Sequence, residues 1–246
     1  MEMEEREKNT EGAKAAAEPR DRLHLALIAS GSGTDADSIM TAWENGCIPE
    51  IHPPILISTK KDAGCLEKAE RHGLQRMVVD FRSFADPDRF NQELAKVLQS
   101  FRTDLVFLVG CIHKIYPVEG TAMYNIHPAD PHRHGGDKMY GLAVHEHVLK
   151  EILDLLSRGK RSLEDPFYTF PTVHEVTLDY DGGDMLLRQA VRIPSNLIQD
   201  LFAGKIEITE AAKALQQWVL PYEWLMLPAA VRMAARRILE ERKGPS

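Results

Sequence analysis

Short apolar runs alternate with longer segments of helical periodicity through the first half of the chain. The run "LHLALIASG" (23–31) is mostly apolar and ends in a glycine-rich stretch, which is typical of a strand buried on both faces. The segment 87–102 has apolar residues at positions 90, 94, 97, 98 and 101, the spacing of an amphipathic helix. These patterns predict strands over 23–31, 50–59, 75–80 and 103–110, and helices over 34–46, 64–73 and 87–102. Such an alternation predicts an α/β fold with a doubly wound, Rossmann-like sheet of mostly parallel strands, whose ligands bind beyond the carboxyl ends of the strands.

The second half of the chain has a different order of elements. A long amphipathic helix is predicted over 142–159, and alternating positions around Asp-Gly-Gly predict a C-terminal β-hairpin over 172–194. From residue 197 the pattern is helical, with interruptions expected at Pro221 and Pro228. We therefore expect a disordered charged tail over 1–20, one α/β domain over 21–228 and a C-terminal helix over 229–246.

Composition narrows the class of protein. The chain has 246 residues, of which 43% are hydrophobic and 27% charged, as expected for an ordinary globular domain. Its net charge of −7, without a basic stripe, argues against nucleic-acid binding. Three scattered cysteines, Cys47, Cys65 and Cys111, lack a CxxC spacing and favour a reducing, cytoplasmic location. No apolar run reaches about 18 residues, so no membrane span is expected.

The stretch Ser30-Gly31-Ser32-Gly33-Thr34 follows the first predicted strand and opens a helix. Glycines allow a phosphate to approach the backbone, and a helix N-terminus supplies free N–H groups. The stretch is neither GxGxxG nor a Walker loop, however, so a simple tight turn explains it equally well.

The stretch Asn125-Ile126-His127-Pro128 combines an amide and an imidazole at positions i and i+2. In an extended chain these two side chains face the same side, where they could stabilise an oxyanion and move a proton. A loop asparagine beside a solvated histidine is the alternative. Asp181, in Asp179-Tyr180-Asp181-Gly182-Gly183, belongs first of all to a hairpin turn and needs a partner from elsewhere to be functional.

A metal site is a second interpretation of the same region. His127, His132 and His134 lie near Asp130 and Asp137, and all five side chains have ligand chemistry. The spacing H-x4-H-x-H is not a typical zinc pattern, and alternate histidines such as His145 and His147 face different sides of a helix. No metal is therefore expected.

The motifs taken together resemble the folate-dependent formyltransferase family. The chain shows "SGSGT", then "DLVFLVG", "NIHP" and "VHEVTLDYDGG", in that order and within a matching α/β pattern over about residues 23–222. The resemblance implies formyl transfer from the co-substrate 10-formyltetrahydrofolate to a small amine, with phosphoribosylglycinamide of purine biosynthesis as the leading acceptor. Neither a metal nor a redox cofactor is implied.

The resemblance also assigns roles to residues. Asn125, His127 and Asp181 match the catalytic asparagine, histidine and aspartate of the family, so we expect their side chains to converge. The substrate's phosphate is expected on Gly31, Ser32, Gly33 and Thr34. The folate is expected on Cys111, Ile112, His113, Lys114, Ile115, Asp179 and Tyr180. Secondary positions are His174, His145 and Gln216.

Several positions depart from the family pattern. The segment 129–141 is about five residues longer than usual, and the connection 157–170 is also extended. The family's asparagine after the glycine stretch is Asp35, an unfavourable neighbour for a phosphate, and Gln216 stands where a glutamate contacts the amine substrate. These changes affect the acceptor side more than the catalytic trio.

Other functions stay open at this stage. They are formyl transfer to another amine, hydrolysis of 10-formyltetrahydrofolate, a metal-dependent hydrolase and a non-catalytic ligand-binding module. The apolar segment 219–235 is suited to burial against the sheet or against a second copy, which makes a homodimer possible.

Overall fold

A seven-stranded, mostly parallel sheet forms the centre of the protein. The computed structural model describes residues 22–244, so the predicted tail over 1–20 lies outside the described residues. The strand order is β3-β2-β1-β4-β5-β7-β8, and a separate two-stranded sheet pairs β6 with β9. The strands are β1 Leu25–Ala29, β2 Ile55–Ser58, β3 Arg76–Val78, β4 Leu105–Leu108, β5 Ala122–His127, β6 Tyr168–Thr169, β7 Thr172–Glu175, β8 Met185–Arg188 and β9 Val191–Arg192.

Strand β1 lies in the middle of the sheet. All five of its residues are buried, and it pairs in parallel with β2 on one side and β4 on the other. The chain adds β2 and β3 on one side of β1 and then β4 and β5 on the other. This reversal of strand order leaves a crevice at the carboxyl ends of β1 and β4. This topology confirms the predicted doubly wound α/β fold.

Strands β7 and β8 extend the sheet in the antiparallel direction. Strand β7 pairs with β5, and β8 pairs with β7, which confirms the predicted hairpin. The Asp-Gly-Gly sequence does not form a tight two-residue turn, however, because it lies within the longer connection 176–184. That connection carries Asp181 back over the carboxyl end of β5.

Helices cover both faces of the sheet. They are α1 Thr34–Glu44, α2 Cys65–Arg71, α3 Pro87–Ser100, α4 Pro131–His134, α5 Leu142–Ser157, α6 Ser195–Phe202 and α7 Ile208–Lys243. One apolar core includes β1, α1 and the second half of α7, while another joins α5, α6 and the first half of α7. No helix within residues 22–244 has the length and apolarity needed to cross a membrane.

The interruptions predicted at Pro221 and Pro228 are wrong, because α7 runs unbroken through both prolines. Residues 229–243, predicted as a separate C-terminal helix, form the second half of this 36-residue helix. A proline inside a helix removes one hydrogen bond and costs about 3 kcal/mol. Pro221 is exposed and Pro228 half-buried, whereas neighbours such as Leu227, Ala230 and Val231 are fully buried. Packing of those apolar side chains outweighs the local penalty.

The glycine stretch provides a test of what holds the β1–α1 turn. Gly33 has φ +75°, and a Cβ atom added there would contact the Cys65 side chain and lie 2.6 Å from the Cys65 Cα atom. We expect Gly33→Ala to lower the free energy of unfolding by roughly 2–4 kcal/mol, the sum of a left-handed backbone and an overpacked contact. Urea denaturation measures this effect.

Gly46→Ala is the matched control for Gly33→Ala. Gly46 has nearly the same φ, +73°, but nothing within 4 Å of an added Cβ. Gly46→Ala should lower the free energy of unfolding only by the contribution of the left-handed backbone, about 1–2 kcal/mol. Equal losses of unfolding free energy in the two variants would show that crowding against Cys65 does not contribute to the effect at Gly33.

Candidate active site

A cavity of about 600 Å³ lies at the carboxyl ends of β1, β4 and β5. This is the position that the parallel sheet predicts for a ligand site. The residues to which the family resemblance assigns a role all line this cavity: Gly31, Ser32, Gly33, Thr34, Cys111, Ile112, His113, Lys114, Ile115, Asn125, His127, His145, His174, Asp179, Tyr180, Asp181 and Gln216. Segments widely separated in the chain therefore meet around one space.

Asn125 and His127 project from the carboxyl-terminal half of β5. Both line the cavity, as the i, i+2 spacing predicts for an extended chain. His127 is only 3% exposed, and its Nε2 atom lies 3.0 Å from the backbone oxygen of His134. Because a carbonyl oxygen can only accept, Nε2 carries a proton and donates it. The Nδ1 atom of His127 is therefore the one that gains or loses a proton.

Asp181 lies opposite that Nδ1 atom. One oxygen of its carboxylate, Oδ2, is 3.9 Å from Nδ1 of His127 and accepts a hydrogen bond of 2.9 Å from the backbone N–H of Gly136. The other, Oδ1, is 3.4 Å from Nε2 of His174. Asp181 has φ +53°, a left-handed conformation that non-glycine residues seldom adopt. Two imidazoles, those of His127 and His174, thus lie beside one carboxylate held in an unusual backbone conformation.

His174 connects Asp181 to Asn125. Residues Asn125 and His174 face each other across the β5–β7 pair, and Nδ2 of Asn125 lies 3.2 Å from Nε2 of His174. Nδ1 of His174 donates to the backbone oxygen of Glu175 at 3.0 Å, so Nε2 of the neutral ring is an acceptor. The Asn125 amide therefore donates one hydrogen to His174 and has a second one available for a ligand.

Burial and charge act in opposite directions on these groups. Burial lowers the pKa of His127, and the nearby Asp181 charge and the bond to the His134 carbonyl oppose this change. For Asp181, burial raises the pKa, but the adjacent His174 ring, the charge of His127 and the Gly136 N–H outweigh it and the pKa is lowered. The site thus favours an ionised carboxylate beside an imidazole that releases its proton readily.

The extended segment 129–141 supplies backbone groups to the trio. Its Pro131–His134 stretch forms the short helix α4, and the following glycines pass beside Asp181. A Cβ atom at Gly135 would lie 2.7 Å from the Cβ atom of Asp181, so only glycine permits this approach. The segment's His134 carbonyl and Gly136 N–H orient His127 and Asp181, a role that side-chain patterns cannot show.

The other histidines of this segment face away from the reaction centre. Nδ1 of His134 lies 3.2 Å from Nδ1 of His147, its Nε2 lies 3.4 Å from Glu151, and His132 is exposed. Over residues 22–244, no group of three histidine, cysteine, aspartate or glutamate side chains is arranged to hold a metal ion. His145, one turn before Leu149 on α5, is instead buried against the cavity, and burial lowers its pKa to about 4.

The segment 111–115 and the loop at 179–180 meet on one wall of the cavity. The Lys114 ammonium lies 4.5 Å from the ring centre of Tyr180, and His113 stacks on Phe81 at 4.0 Å. Burial raises the pKa of the Cys111 thiol, so the thiolate that a nucleophile needs is disfavoured. This wall is partly aromatic and partly cationic.

Another wall of the cavity holds two buried carboxyl groups, Asp35 and Glu223. Only Asp35 was identified from the sequence. Asp35 is the second residue of α1, and Glu223 lies on α7 next to Trp224. Burial raises the pKa of Asp35 to about 6, although a hydrogen bond from the Trp224 side chain opposes the rise. Burial and the charge of Asp35 raise the pKa of Glu223 well above its usual range. Glu223 could not be found from sequence, because its position depends on how α7 packs against α1.

The protonation of His127 can be tested directly. We expect its pKa, measured by NMR titration of the histidine ring, to lie below the ordinary value, because burial disfavours the imidazolium ion. Asp181→Asn should lower it further, since the carboxylate charge that stabilises the imidazolium is removed. Asp184→Asn, on the same loop but exposed, is the control and should leave the His127 pKa unchanged. An unchanged value in Asp181→Asn would show that the two groups are not coupled.

Comparisons with known proteins agree with this geometry. Residues 23–217 match the family model described as formyl transferase. The chain is 33% identical over 195 residues to a chloroplastic phosphoribosylglycinamide formyltransferase of Arabidopsis thaliana, covering 77% of this chain but only 61% of that protein. It is 27% identical over 189 residues to phosphoribosylglycinamide formyltransferase of Haemophilus influenzae, covering 73% and 78% of the two chains.

Solved structures show the same architecture. The crystal structure of glycinamide ribonucleotide transformylase 1 from Symbiobacterium toebii superposes with a TM-score of 0.66 at 25% identity, over 88% of this chain and 89% of that one. Phosphoribosylglycinamide formyltransferase from Brucella melitensis gives a TM-score of 0.62 at 25% identity, over 87% and 96% of the two chains. The overall fold is thus shared with these enzymes.

Proposed function

Because the chain belongs to the formyl transferase family, we propose that it transfers the formyl group of 10-formyltetrahydrofolate to a primary amine in the cavity described above. The observation that carries the proposal is the convergence of Asn125, His127 and Asp181, with an Nδ1–Oδ2 distance of 3.9 Å between the last two. The names of the relatives make phosphoribosylglycinamide the reference acceptor. Purine biosynthesis is then the pathway in which the enzyme acts.

The chemistry requires an oxyanion donor and a route for one proton. The neutral amine attacks the formyl carbon, and negative charge develops on the formyl oxygen. The free amide hydrogen of Asn125 stabilises that oxygen. When the tetrahedral intermediate collapses, the bond from the formyl carbon to N10 of the folate breaks. The amine loses a proton and N10 gains one, which leaves a formamide and tetrahydrofolate.

His127 and Asp181 provide the proton route. Since Nε2 of His127 is committed to the His134 carbonyl, Nδ1 accepts the amine proton and passes it on to N10. The carboxylate of Asp181 stabilises the imidazolium ion that forms in between. The separation of 3.9 Å is longer than a hydrogen bond, and such contacts often tighten when substrate binds.

Folate binding is proposed for the wall formed by 111–115 and 179–180. The ring of Tyr180 and the ammonium of Lys114 form a flat, cationic surface there. The amine acceptor then enters from the opposite side, between the glycine stretch and α7. In this arrangement the formyl group lies beside Asn125, where the two walls meet.

Location and assembly are further parts of the proposal. We propose a cytoplasmic location, which the absence of a CxxC pattern among the three cysteines supports. The exposed side chains of Trp218, Leu225 and Met233 on α7 support a possible homodimer. Light scattering at several protein concentrations measures the oligomeric state.

Variants of the trio test the mechanism. Asn125→Ala, His127→Gln and Asp181→Asn should each reduce kcat/KM by about 10²- to 10³-fold, because each removes a group that acts on the transition state. The assay is tetrahydrofolate release from 10-formyltetrahydrofolate in the presence of an amine. Asp184→Asn should retain wild-type activity, since its side chain is exposed on the same loop and does not line the cavity.

The same assay separates transfer from hydrolysis. Tetrahydrofolate release that does not depend on any amine would show that water is the nucleophile and would contradict the transferase proposal. Activity lost on treatment with a chelator and restored by zinc would instead support metal-dependent hydrolysis. Full activity in the trio variants would place the reaction elsewhere.

A further inference from the structure

The buried ring of His134 has no part in the proposed transfer chemistry. His134 is the last residue of α4 and is 7% exposed. Its backbone oxygen lies 3.0 Å from Nε2 of His127, whereas its ring contacts α5. One residue therefore joins the reacting histidine, through its carbonyl, to a helix outside the cavity, through its side chain.

Helix α5 holds this ring by two polar contacts. Nδ1 of His134 lies 3.2 Å from Nδ1 of His147, and its Nε2 lies 3.4 Å from Oε2 of Glu151. A carboxylate only accepts, so it favours a proton on Nε2 of His134, and Nδ1 of that ring then accepts the N–H of His147. Arg133 pairs with the same Glu151 carboxylate. The two histidine rings also meet edge to face, with their centres 5.1 Å apart.

The first turn of α4 is fixed as well. The side chain of Asp130 accepts a hydrogen bond of 3.1 Å from the backbone N–H of His132, and its Oδ2 lies 3.4 Å from the guanidinium of Arg188 on β8. A helix of four residues has few hydrogen bonds of its own, so its position depends on such outside contacts. The place of the His134 carbonyl is therefore set by β8 at one end of α4 and by α5 at the other.

That carbonyl decides where the single proton of neutral His127 lies. Two acceptors compete for it: the His134 oxygen, 3.0 Å from Nε2, and the Asp181 carboxylate, 3.9 Å from Nδ1. A carboxylate is the stronger acceptor of the two, so it is the shorter distance to the carbonyl that keeps the proton on Nε2. If α4 withdrew, the proton would move to Nδ1 and face Asp181. Nδ1 could then no longer accept a proton from the amine.

We infer that the ring of His134 is a positioning residue: its contacts with His147 and Glu151 hold α4 so that the His134 carbonyl keeps His127 in the Nε2–H form. This inference rests on the proposed formyl transfer, in which Nδ1 of His127 is the base. It gives the histidines of the extended segment a role in proton transfer without any contact between their rings and the substrate.

NMR of the histidine ring nitrogens tests the inference without turnover. At a pH where His127 is neutral, the wild type should show a protonated Nε2 and an unprotonated Nδ1. His134→Phe keeps an aromatic ring but loses both polar contacts, so it should move His127 toward the Nδ1–H form. His134→Gln should restore the wild-type form, because its amide can donate to Glu151 and accept from His147. His132→Phe, on the same helix but exposed, is the matched control and should change nothing.

Rate measurements show whether the reaction uses this contact. His134→Phe should lower kcat by about 10- to 100-fold, the range typical of a residue that orients a reacting side chain, and should leave KM nearly unchanged. His134→Gln should recover most of kcat. Thermal unfolding shows whether each variant keeps its fold. His147→Ala removes the same hydrogen bond from an exposed position, so it tests the inference even where His134→Phe does not fold.

The outcomes separate the inference from the proposed function. A His127 ring that stays in the Nε2–H form in both His134→Phe and His147→Ala would overturn the inference. So would a shift to the Nδ1–H form that leaves kcat at the wild-type value. If the ring shifts as expected but the wild type transfers no formyl group to any amine, the proposed function fails, while the control of the His127 proton by α4 stands.

Discussion

The pairing of β7 with β5 is the constraint on which the candidate site depends. Parallel strands β1, β4 and β5 alone would place Asn125 and His127 at the edge of the sheet without His174 or Asp181 beside them. The antiparallel addition of β7 sets His174 directly opposite Asn125 and turns the chain back toward the cavity. The return loop then brings Asp181 between two imidazoles. One backbone register therefore brings four polar side chains together.

The extended segment 129–141 contacts these side chains through main-chain atoms rather than through its histidine rings. Its histidines and acidic residues first suggest a metal site, but the contacts that matter are the carbonyl of His134 and the N–H of Gly136. Backbone groups have fixed protonation, unlike imidazoles, so they define which nitrogen of His127 can exchange a proton. The closely packed Gly135 is what permits the segment to come so near.

Much of the architecture could be predicted from the sequence because apolar periodicity reports local burial. The alternation of strands and helices and the hairpin follow from the pattern, whereas a trio of Asn125, His127 and Asp181 is predicted only through the resemblance to the formyltransferase family. The continuity of α7 through Pro221 could not be predicted from the sequence. The expectation that proline interrupts a helix considers only the local backbone and leaves out the buried side chains of α7 before and after Pro221. Glu223 was missed for a related reason, since it meets Asp35 only after two distant helices have packed together.

The unbroken helix α7 ties one wall of the cavity to the stability of the whole molecule. Its first half packs with α5 and α6, its second half packs under the main sheet, and Glu223 lies between them. A substitution that reshapes this wall would act on this helix. Many substitutions there would disturb a core, and proteins have only a small margin of stability to lose. This wall of the cavity should therefore change slowly, whereas the wall formed by 111–115 and 179–180, built on loops, is freer to vary.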